Sequence, residues 1–329
     1  MKKILFSFAL AVVTLTSQAQ NMFNHLDLGV TLGTTGIGLD AAMPVGDYVK
    51  LRTGFEVMPR FNYDMNFEVE SFDGTGTSID QSTFNRMADV LYGLTGFKVD
   101  QNVTMKGKPT MWNFKFMVDV YPFKNNKHWH FTAGFHWGPS KIAEAVNAQE
   151  DSPSLFAVGM YNHIYDVAYA DWVLDIPTPL IETETTGAVY MDPSMEKTIL
   201  SMGRMGIPIG KYSHDMTDAQ GNVHKQGETY YMLPNENSMV TVEARTNSFK
   251  PYLGVGYEGR LIKGNDNYKI GFDAGVMFWG GTPSIITHDG MDLANDVEDI
   301  NGKVGDYVKL IKGVKAFPVL NLRITRRIF

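Results

Sequence analysis

The chain reads as all-β, a closed antiparallel up-and-down β-barrel of about ten strands with eight as the alternative. Three observations predict this. Segments near both ends and in the middle alternate apolar and polar side chains, the period-two signature of strands with one apolar and one polar face. Beyond the first segment, no apolar run approaches the roughly 18 residues a membrane helix needs. Mean hydropathy is accordingly only -0.16, as expected where each apolar residue is diluted by a polar one. Finally, 32 glycines and 12% aromatics suit tight interior corners beneath an aromatic exterior.

The clearest segment is the hairpin from Trp112 to Trp137. One face carries Trp112, Phe114, Phe116, Val118 and Val120, then Trp129, Phe131, Ala133, Phe135 and Trp137. The other carries Asn113, Lys115, Met117 and Asp119, then His128, His130, Thr132, Gly134 and His136. Pro122 to Lys127 supplies the turn, with Pro and Asn setting the backbone. Arms of about ten residues are long enough to cross a bilayer as tilted strands. Aromatics at the arm ends fall where a membrane barrel places its girdles.

The same pattern predicts strands at 25–32, 37–43 and 49–57, joined by tight turns at Thr34-Thr35-Gly36 and Pro44-Val45-Gly46-Asp47. Further strands are expected at 240–244, 249–257, 268–278 and 320–328. Those nine leave the parity of a single-chain barrel odd, and Glu228–Met232 is the candidate tenth, turning at Pro234 to Asn237. That pairing puts the tight turns at Pro44, Pro122, Asn235 and Gly264 on one side and two long loops, 59–109 and 139–227, on the other. Phe84, Met87, Val90, Leu91 and Leu94 predict a short helix at 83–94; Val297, Ile300, Val304, Val308 and Ile311 predict another at 297–311. Within the second loop, Leu155–Tyr161 and Met205–Tyr212 are candidate strands. Loops this long are uncommon in compact domains but ordinary on the outer side of a membrane barrel.

Met1–Ala19 has a signal peptide's parts: Lys2 and Lys3, an apolar core from Ile4, and Ser17-Gln18-Ala19 at the cleavage site. A single barrel domain over 20–329 is expected after it, exported through the cleaved leader. The absence of cysteine excludes disulfides and an acyl-lipid anchor. The net charge of -7, with no basic patch interleaved with aromatics, argues against nucleic acid as a partner. Outer-membrane lipid is the expected surrounding.

Four stretches carry a family likeness: the ending Phe317 to Ile324 through Arg327-Ile328-Phe329, and the phrases Asp119-Val120-Tyr121-Pro122-Phe123, Phe249 to Gly254 and Phe278-Trp279-Gly280. They resemble recurring phrases of the Bacteroidota outer-membrane β-barrel proteins, many without an assigned activity. The resemblance covers the strands and not the long loops. It implies insertion by the barrel-assembly machinery, with Phe329 as the assembly signal. One departure is that the apolar set is out of phase with Phe329 and interrupted by Arg326.

The inward set holds Asp27, Asp40, Glu56, Asp119, Glu243, Glu258 and Asp273 beside Lys50, Arg52, Lys115, Arg245, Lys250, Lys269, Arg323 and Arg327. In a barrel of eight to ten strands, side chains fill or nearly fill the interior, so these charges are expected to pair across a plugged lumen. A narrow channel for small solutes or ions is the alternative. His128, His130 and His136 share a face and are weak metal candidates, although no carboxylate stands at a diagnostic spacing. No Gly-x-Ser-x-Gly, His-Glu-x-x-His or phosphate-binding glycine loop occurs, so a membrane-embedded hydrolase is the least favoured alternative and neither an enzyme nor a cofactor is expected. Tyr161, Tyr165, Tyr169, Trp172, Tyr230 and Tyr231 suit a binding surface for an external ligand or envelope protein, and equally suit packing over the barrel mouth.

Overall fold

The computed structural model describes residues 25–328 except 74–76, 124–125, 186, 219–220 and 301. The expected signal peptide and Phe329 lie outside the described residues, as do Lys124 and Asn125 of the central turn.

Eight strands form a closed barrel in sequence order. They are β1 (Asp27–Gly33), β2 (Gly36–Val45), β3 (Val49–Val57), β4 (Trp112–Val120), β5 (Trp129–Trp137), β6 (Phe249–Ile262), β7 (Asn265–Phe278) and β8 (Ala316–Arg327). Each pairs antiparallel with the next. β1 closes the ring on β8, with Asp27 opposite Arg327 and Gly33 opposite Asn321. The tight turns at 46–48 and 263–264 share one end with the 121–128 connection and the start of β1. At the other end the β1–β2 turn needs Gly36 at φ +114°, and a Cβ there would stand 2.1 Å from the Val57 carbonyl oxygen.

The count of ten is thus corrected to eight. Thr229–Met232, the candidate tenth strand, pairs with Arg204–Tyr212 outside the barrel. Thr241–Arg245 also lies beyond the rim. It belongs to a five-stranded sheet ordered Ser284–Thr287, Thr241–Arg245, Lys141–Asn147, Asn102–Pro109, Tyr63–Glu68. These strands continue β7, β6, β5, β4 and β3 respectively, with the same neighbours, so the wall extends upward on five strands while β1, β2 and β8 stop. Alternation is identical above and below the rim, so period two alone could not locate it.

The two long loops, with segments 228–245 and 279–315, carry a folded cap with its own apolar core. α1 (Gln81–Thr95), α2 (Ser152–Trp172), α3 (Pro193–Met202) and α4 (Gly302–Gly313) pack around Met87, Leu91, Val103, Leu155, Val158, Met205 and Met232. The helix expected at 83–94 is α1, started by Asp80, whose carboxylate accepts from the Thr83 amide at 2.9 Å, and ended by Gly96 at φ +73°. The helix expected at 297–311 begins only at Gly302, because Val297–Glu298 pairs with Lys211–Tyr212. Met205–Tyr212 does lie in a strand, Arg204–Tyr212.

Leu155–Tyr161 is helical, not a strand. Leu155, Ala157, Gly159 and Tyr161 satisfy alternation over seven residues, but Pro153 in the first turn and buried Leu155, Val158, Tyr161, Tyr165 and Ala168 follow the longer helical period. Asn162 anchors α2 by donating to the Met205 carbonyl at 2.8 Å and accepting from its amide at 3.0 Å. Tyr230 is buried in the same core and donates to Asp289 at 2.9 Å; burial and that carboxylate push its hydroxyl pKa well above the usual value.

The separate cap core generates a prediction. Leu155→Ala, at a side chain only 1% exposed, should cost about 2–5 kcal/mol. Limited proteolysis should then cut the cap while the barrel strands stay protected; equal loss of protection in both would show one shared core.

Candidate functional site

Alternation along each strand sends every second side chain into the barrel, and most of the strands' charged side chains fall in that set. Asp27, Asp40, Lys50, Arg52, Glu56, Lys115, Asp119, Glu258, Asp273 and Arg323 are each at most 6% exposed. Arg327 is half-buried at the short-turn end, where its Nε lies 4.0 Å from Asp27. Glu243 and Arg245, expected inside, stand instead on the sheet above the rim and pair with each other at 2.6 Å.

The buried charges form an unbroken series of alternating sign. Asp27 receives Lys50 at 2.9 Å, and Lys50 also reaches Glu258 at 3.2 Å. Glu258 receives Arg323 at 3.2 Å, whose other terminal nitrogen lies 3.3 Å from Asp273. Asp273 receives Arg52 at 2.8 Å, and Arg52 ends the series on Asp119 at 2.9 Å. β3 and β7, which carry Arg52 and Asp273, stand opposite each other in the ring of eight, so this pair spans the bore. Thr132 donates to Asp119 at 2.7 Å, and His130 Nε2 lies 3.0 Å from Asp273.

A second group stands nearer the cap. Lys115 lies 2.9 Å from Asp40 and 3.4 Å from Glu56; His136 Nδ1 lies 2.8 Å from Glu56, to which Thr35 donates at 3.0 Å. Thr31 donates to Asp40. Lys250 is fully buried and donates to Asn113 and to the carbonyls of Pro139 and Ser248, at 3.4–3.5 Å. Beside these, Met117, Tyr252, Met277 and Val319 point inward and join Met111 and Trp279 in a small apolar cluster. Glycines make room: a Cβ at Gly275 would stand 2.4 Å from the Tyr252 hydroxyl, and one at Gly256 2.3 Å from His130.

The three histidines are not brought to one point. His128 is exposed at the short-turn end, with Nδ1 2.7 Å from the Glu258 carbonyl oxygen, while His130 and His136 sit against different carboxylates. Among the described residues no cluster of three or more metal-ligating side chains occurs. Alternation puts the threonines and Met117, Tyr252 and Met277 on the polar face, but a reading of the lumen by charge alone gives them no part in it. Their signal was present, since each occupies the polar phase of its strand, where a methionine or tyrosine is out of place on a wet face.

Taking such charges out of water costs several kcal/mol per ion, offset only where each keeps close partners of opposite sign. This interior meets that condition: the guanidiniums of Arg52 and Arg323 each bridge two carboxylates on different strands, and Arg52–Asp273 crosses the bore.

No family model matches the chain, and no curated protein matches it. Among solved structures it is similar to CarO2 of Acinetobacter baumannii (12% identity, 94% of this chain and 100% of that one, TM-score 0.39). It is also similar to CarO of the same organism (10%, 92% and 97%, TM-score 0.36). A third is a major outer membrane protein from Thermus thermophilus (11%, 92% and 98%, TM-score 0.26). Overlaps this low carry no information about residues or activity here.

Arg52→Ala would leave Asp119 and Asp273 buried without their shared cation, which should cost about 3–5 kcal/mol. Lys127→Ala breaks only the exposed pair with Asp47 at 3.3 Å and should cost less than about 1 kcal/mol. Urea unfolding of the two variants checks the contrast; equal costs would mean that the interior pairs are as wet as the surface one.

Proposed function

We propose that this chain is an outer-membrane β-barrel whose strands cross the bilayer, whose interior is closed by cross-lumen ion pairs, and whose cap is an external binding surface. The observation that carries the reading is the outer wall. Leu32, Leu39, Phe131, Leu253 and Phe272 face away from the barrel, each about half exposed or more. Trp112, Trp137, Phe249 and Phe278 ring the cap end, with Trp129 and Tyr257 at the other. Each large apolar side chain gains about 1.5–3 kcal/mol on leaving water, so a continuous belt of them disfavours an aqueous setting by an amount on the order of tens of kcal/mol. Strands of this length suit a tilted crossing, and aromatic rings suit the two interfaces.

Arg326, the interruption in the apolar phase, faces outward near the short-turn end with its guanidinium 5.7 Å from the Tyr268 ring centre. A cation stacked on an aromatic suits the lipid–water boundary. The closing phrases that resemble Bacteroidota barrels support the same placement, with insertion by the barrel-assembly machinery. The lumen contributes closure instead of transport or catalysis: Arg52, Lys50 and Arg323 occupy the bore that a solute would have to pass. Function then falls to the segments 59–109 and 139–227, as a surface for a ligand or an envelope partner.

Reconstituted protein should give no steady conductance steps in planar bilayers and should migrate differently on gels when boiled and unboiled. Sustained steps that change selectivity in Arg52, Lys115 or Arg323 variants would favour the narrow-channel alternative. A monomer stable in plain buffer with unchanged migration would remove the membrane placement.

A further inference from the structure

α4 ends within three residues of β8, and together they place a row of free cations just above the apolar belt. Lys309, Lys312 and Lys315 are all exposed, and Leu310 between them is 64% exposed. Val304, Val308 and Ile311 pack on the cap core, and Tyr307 donates to the Tyr63 hydroxyl at 2.5 Å, so the side of the helix that faces outward is fixed. Among the described residues none of the three lysines pairs with a carboxylate, Asp306 on the same helix included. The cations of the neighbouring wall are instead neutralised: Lys108 by Glu144 at 2.8 Å, Lys141 by Glu243 at 3.3 Å, and Arg245 by Glu243 at 2.6 Å.

Height follows from covalent reach. Lys315 precedes Pro318, the first exposed outward residue of β8, by three residues, so it lies at most about 11 Å above the belt. The amides of Val314 and Lys315 donate to Ile311 and Gly313 at 3.2 Å, which folds the helix end tightly onto the strand. Lys309 is then about 6 Å from that end along the helix axis. The headgroup layer is about 5–8 Å deep on each side of the hydrocarbon, comparable with these distances.

We propose that Lys309, Lys312 and Lys315 form a cationic foot that binds the phosphates of anionic lipid headgroups in the leaflet on the cap side, with Leu310 entering the acyl boundary. This assignment rests on the membrane placement proposed above. An amphipathic, lysine-bearing helix end beside a hydrocarbon belt matches such a surface in both charge and polarity.

The test uses the full chain in nanodiscs of phosphatidylcholine containing one part in about five of phosphatidylglycerol, with retained lipid counted by native mass spectrometry. The native chain should retain phosphatidylglycerol over phosphatidylcholine by about tenfold or more, a preference that falls as salt is raised. K309Q/K312Q/K315Q should lose that preference, while K197Q/K211Q, on the cap, should keep it. Equal preference in the native chain and the triple variant, or none in the native chain, overturns the assignment while insertion itself, read from heat-dependent migration, persists. Failure to insert into either lipid overturns the membrane placement and this assignment with it.

Discussion

The pairing of β1 with β8 is the constraint on which the other features depend. Seven register pairs, from Asp27 opposite Arg327 to Gly33 opposite Asn321, turn an open sheet into a ring without edges. Closure separates the two faces of every strand: one set of side chains can only look outward, and the other is enclosed. A register slip of one residue would exchange the sets, placing Arg52 outside and Leu51 within. The outward apolar belt and the inward charges are therefore two consequences of one pairing pattern.

Enclosure then dictates the chemistry of the interior. Eight strands leave a bore that side chains fill, so charges placed there must meet one another. The alternating series from Asp27 to Asp119 does this with Arg52 and Arg323 as bridges, each shared between two carboxylates on different strands. Glycine on the inner face is the complement of those long side chains: Gly256 leaves the space that His130 takes, and Gly275 the space of Tyr252. Lys250 is held by an amide and two carbonyls at the register of His136 and Lys115, one step toward the cap from the Met117, Tyr252 and Met277 cluster.

Above the rim the same wall changes character. The five-stranded sheet keeps its neighbours but no longer closes, and its charges, Lys141, Glu144, Glu243 and Arg245, pair in partial contact with water. The cap gains order from its own core of methionine, leucine and tyrosine side chains around α2. The chain thus carries two apolar organisations facing opposite ways, one turned outward around the barrel and one turned inward within the cap. α4 stands where they meet.

Alternation is local and needs only neighbours in the chain, so the period-two strands of the barrel, the face each residue takes and the inward set from Asp27 to Arg323 are readable without the fold. Helix α1 was equally legible from its spacing. The strand count, the position of the rim, the identity of α2 and the partner of each charge depend on contacts between distant segments. Glu243 alternates just as Glu258 does, yet one lies above the ring and the other inside it. Leu155–Tyr161 fits either period over so short a run, and packing against Met205 selected the helix. Arg52 meets Asp273 across 221 positions of sequence because the ring curls β7 round to face β3, a distance that no local pattern encodes.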